Sequence, residues 1–193
     1  TLKLTEAPQP GLGHAAWRVS APELLDEAAA KLEAAGYGLG WQESEYGGGR
    51  AFRFRMPDGH RMELIWELEY YQAPEDQKSP LKNRPQRRPL DGVPVRRLDH
   101  INCFVSDVET HEAFLREYLG FKLRETKIDE NGRKVGSWLS VSPLVHEIAT
   151  MRDGTGQGNR LHHIAFWYGY PQHCYDVADA CRDWGIKIEA GPG

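Results

Sequence analysis

Gly13-His14-Ala15-Ala16-Trp17, Asp99-His100-Ile101-Asn102-Cys103 and His162-His163-Ile164-Ala165-Phe166 are three versions of one phrase. In each, a histidine opens an apolar run with strand character. Each run leads through a turn into a helical pattern, and the helices stop near Gly36, Gly120 and Gly185. The histidine-to-glycine intervals agree to within two positions, which argues for internal duplication. Pro22, after Ser20, suits a first helical turn, and Leu24, Leu25, Ala28, Leu32 and Ala35 share one face. Val108, Phe114, Leu115, Tyr118 and Leu119 do the same in the second helix, which ends on Gly120 as a left-handed cap. The third helix starts near Pro171 and carries Val177, Ala178, Cys181 and Trp184. Strand-like segments follow. Ala51 to Met56 and Arg61 to Leu68 flank the turn Pro57-Asp58-Gly59, and Gly136 to Val141 and Glu147 to Met151 are joined through Ser142-Pro143. The unit is β-α-β-β-β and the fold class α+β.

Between the repeats the composition changes. Pro74, Pro80, Pro85, Pro89 and Pro94 are interleaved with lysines and arginines. Such proline density opposes helix interiors and central strands alike. The predicted organisation is an N-terminal module over 1–72, a basic proline-rich linker over 73–96 and a C-terminal module over 97–193. Thr1-Leu2-Lys3-Leu4 reads as the last strand of a preceding unit. The final unit reaches Gly191-Pro192-Gly193 after one strand, one helix and a short Ile186 to Glu189 strand. On this count the chain reads as truncated at both ends.

The 193 residues carry a formal charge of −4, so no broad basic field invites nucleic acid. No apolar run is long enough to span a bilayer, and no leader pattern opens the chain. Cys103, Cys174 and Cys181 make an odd count without paired spacing, which argues against a disulfide framework and fits a reducing cytoplasm. Cys174 and Cys181 share a helical face and read as buried small hydrophobes.

A lone strand histidine is usually structural or exposed. Two histidines that open equivalent strands of paired units are different, because their rings can converge on one point. A divalent metal takes such a pair with a carboxylate and keeps open positions for substrate and oxygen.

Arg97-Leu98-Asp99-His100-Ile101-Asn102 and Arg160-Leu161-His162-His163-Ile164-Ala165-Phe166 resemble the two histidine-ligand strands of type I extradiol dioxygenases, in the vicinal oxygen chelate superfamily. The resemblance assigns His100 and His163 as metal ligands, with register choosing His163 over His162. The segment Trp138-Leu139-Ser140-Val141-Ser142-Pro143-Leu144-Val145-His146-Glu147 is similar to the one that brings the family's acid/base histidine to the metal. It implies His146 as the catalytic histidine, Trp138 as a pocket wall and Asn102 as a polar group beside the substrate. The third ligand, a Glu, is expected beyond Gly193. Ala190 sits where relatives that take carboxylate-bearing catechols can carry Arg, which disfavours an acidic substituent.

Asp58-Gly59-His60-Arg61-Met62-Glu63-Leu64-Ile65 looks like the family's final-strand motif. With it, His14 and Glu63 form a half-site read as a relic or as structural. The implied fold is glyoxalase/bleomycin-resistance/dihydroxybiphenyl-dioxygenase-like, with two open, strongly curved sheets. The implied cofactor is Fe(II), or Mn(II) in a minority of relatives. The implied partners are O2 and catechol, an alkylcatechol or 2,3-dihydroxybiphenyl, in a homo-oligomer that binds neither membrane nor nucleic acid. Two other readings use the same scaffold. One is a glyoxalase-like isomerase or thiol transferase using Ni, Zn or Mn, and the other is a module that sequesters an aromatic ligand. The Gly154-Thr155-Gly156-Gln157-Gly158-Asn159 loop resembles a phosphate cradle in glycine content alone.

Overall fold

The computed structural model describes residues 2–44, 49–82, 84, 86–87 and 92–191. The chain divides into two compact units, Thr1–Glu69 with His100–Ile164, and Tyr70–Asp99 with Ala165–Gly193. The elements in chain order are β1 (Ala15–Arg18), α1 (Glu23–Ala34), β2 (Gly38–Glu43), β3 (Arg50–Arg55) and β4 (Arg61–Ile65). After them come β5 (Arg97–Val105), α2 (Val108–Leu119), β6 (Lys122–Ile128), β7 (Lys134–Ser140), β8 (Ile148–Arg152), β9 (Arg160–Trp167) and α3 (Pro171–Asp183). One sheet has the order β1-β4-β3-β2 and the other β6-β7-β8-β5-β9. In both, the first strand of a unit pairs in parallel with its last, β1 with β4 and β5 with β8. The β-α-β-β-β unit read from the sequence is therefore present twice, and its strand and helix open a third copy. No described helix is long and apolar enough to cross a membrane.

The helix stops have the expected cause. Gly36, Gly120 and Gly185 have φ of 79°, 70° and 68°, the left-handed region that ends a helix without a Cβ clash. At the start of α2, the Asp107 carboxylate accepts the Thr110 backbone N–H at 2.8 Å.

Three strand expectations need correction. Residues 2–4 are irregular and exposed, and Thr1 lies outside the described residues. Ile186 to Glu189 is not a strand. A strand needs a ladder partner; here the Ile186 N–H returns to the Cys181 carbonyl at 2.7 Å, a helix-terminal contact. The strand begun at Arg61 ends at Ile65 rather than Leu68. Cys174 is exposed and Cys181 half-buried, because no residue of α3 is buried, whereas Cys103 is buried and burial pushes its thiol up to about 12.

Within the first unit the core is continuous. Leu25, Ala29 and Leu32 of α1, Phe52 and Phe54 of β3 and Met62 and Leu64 of β4 join Ile101, Cys103 and Val105 of β5 with Val108, Phe114 and Leu115 of α2. Tyr37 meets Phe114 edge-on at 4.7 Å, and Trp17 meets Phe121 at 5.2 Å. Strand alternation then decides the site. With Ile101, Cys103 and Val105 in the core, His100, Asn102 and Phe104 turn to the opposite face of the sheet.

A polar cluster around the buried His111 ties the β3–β4 turn to the start of α2. Asp58 accepts from the Ser106 N–H at 2.5 Å and from the Ser106 hydroxyl at 2.6 Å. His111, fully buried, receives the Asp58 backbone N–H on Nε2 at 3.2 Å, and its Nδ1 lies 2.8 Å from the Asp107 carbonyl. Those partners select the neutral, Nδ1-protonated ring. Burial lowers the pKa of His111 against the opposing pull of the Asp107 carbonyl and the charges of Asp58 and Asp107. His60, whose Nε2 lies 3.3 Å from the Arg160 carbonyl, is likewise lowered, by burial first.

Neutral histidines in the fold, set against an unfolded value near 6.5, give stability that is complete above that pH and declines as pH falls toward the folded values. Each contributes a loss of up to about 1.4 kcal/mol per pH unit in that window. Urea unfolding at pH 7.5 and 5.5 should show the decline, and His111→Gln should flatten it. Equal pH slopes in parent and variant would refute the assignment.

Candidate metal centre

His100 lies in β5 and His163 in β9, adjacent strands of one sheet. Their Nε2 atoms are 3.0 Å apart and their rings stand at 75°. His146 reaches the same place from the β7–β8 loop, its ring centroid 4.2 Å from that of His100. Glu147 holds this loop. Its carboxylate accepts the backbone N–H groups of Val141 at 2.8 Å and Ser142 at 3.2 Å. Its own N–H donates to the Leu139 carbonyl, and its carbonyl receives the N–H of Ile101, the residue after His100. Arg124 adds a bond to Ser140 Oγ at 2.7 Å. The structure thus brings His100, His146 and His163 together.

Asn102 and Trp138 flank one residue of the strand between them. Ala149 of β8 is the register partner of Asn102 on one side and of Trp138 on the other, so the three form one row across the sheet. Asn102 is buried, and its Oδ1 has no hydrogen-bond partner among the described residues. Gly136 makes room for the tryptophan: a Cβ there would lie 3.1 Å from the Trp138 ring and 2.7 Å from the Met151 sulfur. Ala190 is exposed and belongs to the other compact unit.

His162 holds His163 from behind, with the two Nδ1 atoms 2.9 Å apart. The His162 ring lies 4.4 Å from Phe104, which in turn has the Arg160 guanidinium 4.9 Å from its centroid. Arg160 forms a bidentate pair with buried Asp153, both bonds 2.8 Å. Arg160 and Thr155 hold the Asp153 carboxyl well below the usual carboxylate range. Sequence reasoning missed Glu147, His162 and Phe104 as supports. Phe104 was legible, since it shares the alternation of His100; Glu147 and His162 carried no signal of their own, because a loop carboxylate capping nearby amides and a histidine beside another histidine look like ordinary polar residues in sequence.

Burial lowers the pKa of His163, and the charges of His162, His100 and His146 lower it further. A neutral ring with an available lone pair is the form that binds metal. The spacing fits as well. Two imidazole nitrogens about 2.1 Å from one ion and at right angles to each other stand about 3.0 Å apart. The donor set suits a first-row divalent ion. Among the described residues no group of three or more His, Cys, Asp or Glu side chains converges as a metal site, so His100 and His163 make a pair and not a closed cage.

Known proteins resemble this chain in sequence and in fold. A metapyrocatechase of Geobacillus stearothermophilus is 48% identical over 192 residues, a match covering all of this chain and 58% of the relative. A manganese-dependent 2,3-dihydroxybiphenyl 1,2-dioxygenase of Geobacillus genomosp. 3 is 40% identical over 196 residues, covering all of this chain and 62% of the relative. The chain thus spans about three-fifths of the length of these relatives. Among solved structures, a mutant homoprotocatechuate 2,3-dioxygenase of Brevibacterium fuscum superposes with a TM-score of 0.78 at 27% identity, covering 98% of this chain and 50% of that one. The homoprotocatechuate 2,3-dioxygenase of Arthrobacter globiformis gives 0.75 at 26% identity, covering 97% and 56%. Residues 97–193, the part that holds the histidines, match the family signature itself. The chain belongs to the Glyoxalase/Bleomycin resistance protein/Dioxygenase superfamily.

Proposed function

We propose that this chain carries the metal-binding half-site of an extradiol ring-cleaving dioxygenase acting on catechols. The 3.0 Å approach of His100 Nε2 and His163 Nε2, with the His146 ring beside them, is the observation that carries the reading. His100 and His163 would hold Fe(II), or Mn(II), together with a carboxylate expected on a later strand of the repeat. When bound, the ion acidifies the catechol hydroxyls and offers positions for both substrates. His146 takes a hydroxyl proton and returns one to oxygen as the O–O bond breaks. Catechol and O2 combine with no further reactant: a ring C–C bond beside the hydroxyls breaks, and both oxygen atoms remain in the ring-opened product. Trp138 and the small Ala149 form a flat wall, and the Asn102 Oδ1 accepts a hydrogen bond from the substrate side. The wall favours an apolar or unsubstituted catechol, in line with Ala190 at a position where an Arg would favour an acidic one. On this reading residues 97–193 are the metal-binding module, 1–72 the N-terminal module and 73–96 the linker. The corresponding assembly is a cytoplasmic homo-oligomer.

The test is to load the protein anaerobically with Fe(II) or Mn(II), add catechol or 2,3-dihydroxybiphenyl, and admit air. A yellow ring-fission product that depends on metal and on O2 is the expected result. A protein that includes the carboxylate strand, binds the metal and leaves both catechols intact would overturn it. Conversion of a hemithioacetal by the same protein would then identify an isomerase.

A further inference from the structure

The first sheet repeats the register of the second with different residues. β1 pairs Ala16 with Glu63, as β5 pairs Asn102 with Ala149. β3 sets Arg53 opposite Glu63, as β7 sets Trp138 opposite Ala149. His14 precedes Ala15 as His100 precedes Ile101, and Ala15 and Ile101 hold matching register positions. The row that is Asn102–Ala149–Trp138 in one sheet is Ala16–Glu63–Arg53 in the other.

The side chains at this place converge. The Glu63 carboxylate is fully buried. Its Oε2 accepts from Arg53 Nε in a short contact and from Gln42 Nε2 at 3.1 Å. Its Oε1 has no hydrogen-bond partner among the described residues. His14 Nε2 lies 3.9 Å from Glu63 Oε2 and 3.2 Å from an Arg53 terminal nitrogen. A guanidinium only donates, so that His14 nitrogen accepts and presents its lone pair to Arg53. A neutral imidazole and a buried carboxylate therefore point at one cation, and that cation is Arg53.

We propose that the Arg53 guanidinium fills the cation position of a latent metal site, and that His14 and Glu63 bind a divalent first-row ion when Arg53 is removed. A buried carboxylate requires a compensating positive charge, and either a guanidinium or a metal ion supplies it. Two bonds of about 2.1 Å span separations up to about 4.2 Å, so the imidazole–carboxylate gap is bridgeable as it stands. Gln42, already bonded to Glu63, can turn its amide oxygen to the same point. In the native chain Arg53 excludes the ion. The inference is independent of the dioxygenase reading.

The test replaces Arg53 by Met and, separately, by Gln, each alongside His163→Ala to silence the other histidine pair. The proteins are stripped with chelator and titrated with Zn(II), and both heat of binding and thermal unfolding are followed. Without ion, each variant should melt about 5–15 °C below its Arg53-containing parent, the result of leaving a buried carboxylate unpaired. Zn(II) should restore most of that shift and bind at one equivalent more than in the parent. Adding Glu63→Gln should abolish both effects. A variant unfolded in chelator that folds on adding Zn(II) is the same result in stronger form. If neither variant gains an equivalent or any ion-dependent stability, or if the gain survives Glu63→Gln, the proposal falls.

Discussion

In the proposed dioxygenase, His146→Phe is expected to lower turnover of catechol by about a hundred- to ten-thousand-fold, the usual range for losing one positioned acid–base group. Metal content should be unchanged, because His146 approaches the His100–His163 pair from the β7–β8 loop and supplies neither of the two nitrogens that meet at 3.0 Å. The loop itself should keep its shape, since Glu147 holds it through the Val141 and Ser142 amides rather than through the His146 ring. Metal analysis and steady-state kinetics on the same preparation check the result. Turnover within a few-fold of the parent would remove His146 from the chemistry. Lost metal would make it a ligand.

His163→Ala has the larger effect. It removes one of the two nitrogens, and a site with a single imidazole holds a divalent ion far more weakly. Metal affinity is expected to fall by at least about a hundredfold, more than is typical for losing an outer hydrogen bond to a ligand, and turnover to fall below detection. The fold should survive, because His163 is exposed and contributes nothing to the core. An unchanged melting temperature with lost metal is the outcome that assigns the residue. Retained metal affinity would place the ion elsewhere.

The N-terminal sheet shows how the same framework can be closed to metal. His14 and Glu63 were legible in the sequence as a half-site, and Glu63 as the residue at the carboxylate register. Arg53 was not, since nothing in its neighbourhood marks an arginine of an alternating strand as a partner of a glutamate on the next one. Only strand pairing sets Arg53 opposite Glu63. The resulting contact replaces an ion by a side chain of the protein itself.

By itself the sequence determined the repeat, its α+β class, the three helices with their glycine stops, and the histidines that recur at equivalent places in it, though His100 and His163 fall inside their strands and not at the start. These are local matters: period, capping and left-handed φ are properties of a few neighbouring residues. It did not locate β2, where Gly38 and Gly40 dilute strand character, or β6, whose Lys122 to Ile128 stretch is mostly charged and exposed. It also placed strands at residues 1–4 and 186–189, where apolar residues alternate but none of the described ones has a ladder partner. Tertiary structure alone decided which rings meet. Strand order brings the His100 and His163 Nε2 atoms within 3.0 Å, and the Glu147-held loop brings the His146 ring centroid within 4.2 Å of that of His100, distances between positions far apart in the chain. The same pairing decided that one sheet brings two histidine Nε2 atoms to one point, while the other directs a histidine and a glutamate at an arginine.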